Sequence, residues 1–160
     1  MPQTKSKTRT NQKRNKRSTT MSRTRTSATT TSKMFYKEIT VKFLEMLLMV
    51  KLFHWKTHSY ATHKATDELY DSMNGNIDKF IEVLLGKTGS RIDLTNQSKI
   101  SLIDLGSTEK LKERIQSFKN YLVGLSNNKA IVSMNDTDLL NIRDELLGDL
   151  NQFLYLLTFK

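Results

Sequence analysis

The chain has 160 residues, no cysteine, 26 Lys and Arg against 16 Asp and Glu, and a formal net charge of +10. Without cysteine it can hold neither a disulfide nor a thiolate metal site, and its length suits one core that needs no covalent staple. The charge is placed unevenly: nine of the cations and none of the acids fall in residues 1–32, which leaves 17 cations against 16 anions for the remainder.

Residues 1–33 are rich in Thr, Ser, Lys, Arg and Asn and poor in apolar side chains. Such a segment buries too little surface to offset its ordering entropy, so a disordered basic tail is expected, followed by a folded domain over 34–160. Its cations are Lys5, Lys7, Arg9, Lys13, Arg14, Lys16, Arg17, Arg23 and Arg25. A flexible run of this kind grips phosphates without reading base sequence, which makes non-specific DNA the expected partner. No aromatics are interleaved with the charges to stack on bases. The stretch KRNKR at 13–17 also suits a nuclear localisation signal, and the segment lacks the apolar centre of a secretory leader.

The first helix is expected from about Met34 to Lys56, apolar nearly all round through Ile39, Phe43, Leu44, Met46, Leu47, Val50 and Phe53. Lys42, Glu45 and Lys51 interrupt its most apolar run, which favours a covered core helix over a membrane span. Thr57 or Ser59 can cap a second helix from Tyr60 to about Leu85, stopped at Gly86 or Gly89. Gly75 within it marks a close helix contact or is simply tolerated. A connector over 87–106, with a short helical turn expected around SKISLIDL, leads to a third helix from Ser107. The fourth follows SMNDT, capped by Asn135 or Asp136, with its stripe at Leu139, Ile142, Leu146, Leu150, Phe153 and Leu157. Strand signals are weak, and the expected fold class is all-α: an antiparallel four-helix bundle with a longer link between its second and third helices.

All three histidines lie within residues 54–63. His63 and Asp67 share one face of the second helix, as do Asp78 and Glu82, and imidazole with carboxylate binds divalent first-row metals. Asp67 and Asp78 are eleven residues apart, about 16 Å along the axis, so one ion cannot bridge them. Two antiparallel copies of the helix would set His63 and Asp67 of one chain against Asp78 and Glu82 of the other, with His54 returned to similar height by the hairpin. Each residue alone is more often a surface or capping group, as His58 in the hairpin illustrates.

With FHW at 53–55, His63 followed by Asp67, ELYD at 68–71, IDKFIEVLLGKTG at 77–89 and the closing helix NDTDLLNIRDELLGDLNQFLYLL, the chain resembles the Dps-type miniferritins, DNA-binding ferritin relatives of bacterial starvation responses. The wording HSYATHKATDELY also resembles Dps-like proteins encoded by large DNA viruses. The resemblance implies a ferritin-like bundle and a ferroxidase centre between subunits, formed by His54, His63, Asp67, Asp78 and Glu82 with Trp55 beside it. It also implies iron as the metal, Fe(II) oxidation commonly by hydrogen peroxide, a hollow dodecamer, and DNA binding through the tail. The hairpin from His54 to His63 is shorter than the family pattern, and no Glu-x-x-His motif of ordinary ferritins occurs. A cytoplasmic or nucleoid setting is expected, with a virion or nucleus as the alternative. A structural nucleic-acid packaging or virion protein on the same scaffold, without ferroxidase activity, is the second expectation.

Overall fold

The computed structural model describes residues 18–134 and 136–159, with side chains from Lys33 onward. Its elements are α1 (Ser18–Lys56), α2 (Tyr60–Thr88), α3 (Thr108–Gly124), a 3-10 turn (Leu125–Asn127), α4 (Lys129–Val132) and α5 (Thr137–Leu156). The fold class is all-α, and no strand occurs among the described residues.

Each helix is held by the apolar stripe that its sequence sets at helical spacing. From α1 come Ile39, Phe43, Met46, Met49, Val50 and Phe53; from α2 Leu69, Met73, Ile77, Phe80 and Leu84; from α3 Leu111, Ile115, Phe118 and Leu122; from α5 Leu139, Ile142, Leu146, Leu150 and Phe153. Phe43 joins three of these helices. Its ring meets Phe80 edge-on at 5.3 Å and Phe118 at 6.2 Å, the perpendicular arrangement that the ring quadrupole favours.

Polar ties along α2 and α5 fix their antiparallel register: Asn76 to Asp149 at 2.9 Å, Lys79 to Glu145 at 3.3 Å, and Lys87 to Asp138 at 2.9 Å. Arg143 of α5 is buried, and its guanidinium donates to the Leu122 carbonyl at 3.1 Å and the Ser126 hydroxyl at 2.8 Å. Carbonyls in the last turn of a helix lack partners of their own, and a cation is favoured there.

Three expectations are corrected at this level, and a choice left open at Gly75 is decided. Helix α1 begins at Ser18 and not near Met34, so the helix includes the backbone of 18–33. No glycine or proline lies in that stretch, so a helix nucleated by the packed residues beyond it can propagate backward. Helix α2 runs past Gly86 to Thr88 and stops at Gly89, whose φ of 61° suits a residue without Cβ. The segment SKISLIDL forms no helical turn, while the four-residue α4 fills the link before α5 instead, burying Ala130 and Ile131. Gly75 has open space where a Cβ would stand, so no helix contact within the chain requires it.

Candidate metal centre

The α1–α2 hairpin is three residues long, Thr57 to Ser59. Ser59 caps α2, its hydroxyl accepting from the Thr62 N–H at 3.3 Å, and its carbonyl accepts from the His63 N–H at 2.8 Å. At the end of α1 the Thr57 N–H returns to the Phe53 carbonyl at 3.0 Å. So tight a connection sets the last turn of α1 against the first turns of α2, which is why residues nine apart in sequence meet.

His54 and His63 stack with ring centroids 3.9 Å apart and planes 22° from parallel. His54 Nδ1 lies 3.0 Å from the His63 carbonyl oxygen, and His63 Nδ1 lies 3.0 Å from the His54 carbonyl oxygen. A carbonyl oxygen only accepts, so each Nδ1 carries the proton and donates it. The Thr66 hydroxyl, which donates to the Thr62 and His63 carbonyls, accepts from His54 Nδ1 at 3.3 Å and agrees with that tautomer. His63 thereby satisfies an end-of-helix carbonyl of α1, an ordinary structural task. Both Nε2 atoms are left outside these bonds; in a neutral ring each would offer its lone pair, the arrangement in which a histidine ligates a metal while its other nitrogen is held by a carbonyl.

Asp67 stands one turn beyond His63 and is half-buried. Its Oδ1 is 3.6 Å from His54 Nε2 and 3.8 Å from Lys51 Nζ. An imidazole lone pair facing a carboxylate oxygen is unfavourable until a cation or a proton comes between them. The Lys51 ammonium supplies a nearby positive charge and also lies over the Tyr70 ring, 4.5 Å from its centroid. Lys51, Thr66 and Tyr70 were not singled out from sequence as residues of this site. Lys51 lies three residues before His54 and hence on its face of α1, a spacing that could have identified it.

Of the five proposed ligands, one chain brings His54, His63 and Asp67 together and leaves Asp78 and Glu82 exposed farther along α2. Among the described residues no three His, Asp or Glu side chains form a group that could hold an ion. His58 is exposed, in keeping with its placement in the hairpin, and Trp55 is 70 % exposed. Lys5, Lys7, Arg9, Lys13, Arg14, Lys16 and Arg17 lie outside the described residues, as do the side chains of Arg23 and Arg25. Among the described residues no helix is long and apolar enough to cross a membrane.

A family model, described as a family of unknown function (DUF5856), matches residues 54–157, more than half of the chain and the whole of the span from His54 to the end of α5. No curated protein and no solved structure matches.

Proposed function

We propose an iron-handling role for this chain, which belongs to the DUF5856 family, a family of unknown function. On this reading four long helices form an antiparallel, ferritin-like bundle. Two copies associate through α2, and each hairpin supplies His54, His63 and Asp67 to an ion that Asp78 and Glu82 of a second copy complete. The donors suit the cargo: imidazole nitrogen and carboxylate oxygen hold iron in both oxidation states. At such a site two Fe(II) each give one electron to hydrogen peroxide, which takes up two protons and leaves as two waters.

The observation that supports this most is the reciprocal bonding of the two imidazoles, which engages both Nδ1 atoms and leaves both Nε2 atoms outside those bonds, that of His54 beside the Asp67 carboxylate. Protons compete with metal for those nitrogens, so affinity falls as pH is lowered. The basic arm adds non-specific binding of nucleic acid, and several arms on one oligomer add avidity. A cytoplasmic setting on nucleic acid suits both halves, and a virion or nucleus suits them equally.

Lys51 favours a second reading. Its ammonium already stands near Asp67, where a metal would sit, as it would in a nucleic-acid packaging protein that keeps the helical scaffold without oxidising iron. Anaerobic Fe(II) titration followed by peroxide, read as ferric absorbance, separates the two. Oxidation by wild type well above that of a His63→Ala, Asp67→Ala variant is expected, and equal traces remove the ferroxidase reading.

A further inference from the structure

A cavity of about 450 Å³ lies far from the histidines, between the Lys33–Lys37 turn of α1 and the chain that follows α2, Ser90 to Asn96. Lys33, Lys37 and Arg91 line it together with Asp93. We propose that this cavity seats a phosphate group of nucleic acid, held by Lys33, Lys37 and Arg91, so that the grip on nucleic acid extends from the arm onto the folded domain.

Charge comes first. Three cations meet one carboxylate, and that carboxylate is already engaged: Asp93 Oδ1 accepts from the Thr95 N–H at 3.0 Å. The Thr95 hydroxyl and N–H hold the Asp93 carboxyl below its usual range, with Lys33 and Lys37 adding smaller contributions, so its hydrogen bonds go to Thr95 and not to the cations. Lys42, Lys51, Lys56, Lys79 and Lys87 each have a carboxylate within 4 Å. Among the described residues Lys33, Lys37 and Arg91 have none; Arg91 Nη1 donates only to its neighbour's carbonyl, that of Ser90, at 3.0 Å. Lysine ammonium groups one helical turn apart and a guanidinium with free donors are a set that phosphate oxygens match.

Continuity argues for nucleic acid over a free anion. Helix α1 runs unbroken from Lys33 back to Ser18, about 22 Å, and carries Arg23 and Arg25 on the way to the seven further cations of residues 1–17. A duplex presents a phosphate charge every ~1.7 Å of its axis, so one strand of contacts can track the arm, the helix and the cavity in succession.

This inference deepens the nucleic-acid half of the proposed function and is tested apart from it. The full chain is titrated onto a fluorescent DNA duplex across a salt series. Wild type is compared with three variants: the cavity variant Lys33→Gln, Lys37→Gln, Arg91→Gln; a control, Lys64→Gln, Lys110→Gln, Lys129→Gln; and an arm variant with the seven cations of residues 1–17 changed to Gln. Loss of three phosphate contacts lowers the slope of log affinity against log salt by about 2 to 3 in the cavity variant, at 0.9 per contact, while the control keeps the wild-type slope. Arg91→Glu alone, at an exposed position, lowers the slope in the same sense should the triple variant fold poorly. An unmoved slope in both cavity variants, or an equal fall in the control, overturns the cavity. Pyrophosphate that binds wild type but not the cavity variant, with the duplex slope unmoved, overturns nucleic acid as its occupant. An arm variant that binds like wild type sinks the arm and leaves the cavity result standing.

Discussion

Two imidazoles that donate to each other's backbone carbonyls are restrained in ring orientation at both Nδ1 atoms at once, which lowers the cost of holding them for a ligand. Beside them Asp67 is shared between His54 and Lys51. On the iron-handling reading, Lys51 competes with the metal for that carboxylate. Lys51→Met, which keeps an unbranched side chain and removes the charge, therefore raises Co(II) or Fe(II) affinity several-fold, each tenfold step being about 1.4 kcal/mol. Calorimetric titration of both proteins checks this, and an unchanged affinity assigns Lys51 a packing role only. Sequence showed the three histidines and the spacing of His63 to Asp67. It could not show that His63 Nδ1 reaches back to α1, because that bond depends on the angle at which a three-residue hairpin returns the chain.

At the scale of elements, the contact between α2 and α5 is pinned at its far end by Lys87 and Asp138. Hydrogen bonding from Lys87 first, then from the Leu139 N–H, holds the Asp138 carboxyl below its ordinary range, with the Lys87 charge adding to it. A carboxyl whose folded value is depressed contributes stability that is present above its unfolded pKa, about 3.9, and is lost as pH falls through the folded one. Asp138→Asn thus lowers stability at pH 7 by less than ~1 kcal/mol, as expected for a half-exposed pair. The gap to wild type narrows below pH ~4. Denaturant unfolding at neutral and acid pH measures it, and a gap of equal size at both contradicts the assignment.

Helix cores were the most legible part of the sequence. Leu139, Ile142, Leu146, Leu150 and Phe153 are all buried as their spacing indicates, and Ser59 and Ser107 both cap. Helix ends were less legible. The start of α1 depends on propagation through a Thr-rich stretch of low intrinsic propensity, and the end of α2 at Gly89 over Gly86 turns on a single left-handed residue. The turn Lys129–Val132 escaped notice because four residues carry too little periodicity to detect.

The whole molecule unites a nearly neutral helical domain with a strongly basic arm, and its candidate ligands divide the same way along α2: His54, His63 and Asp67 gathered at one height, Asp78 and Glu82 left at another. Burial within one chain does not use the second pair. An isologous contact through α2 would bring each half to the other twice.

Co-expressing two inactive variants tests that claim most directly. His63→Ala, Asp67→Ala damages the first half of every site, and Asp78→Ala, Glu82→Ala damages the second. Each variant alone fails to bind Co(II) tightly. In a randomly mixed population half the pairs are heterodimers, each with one intact site, so binding returns to about a quarter of the wild-type capacity. No recovery on mixing, or full binding by either parent alone, contradicts a centre shared between two copies of the chain.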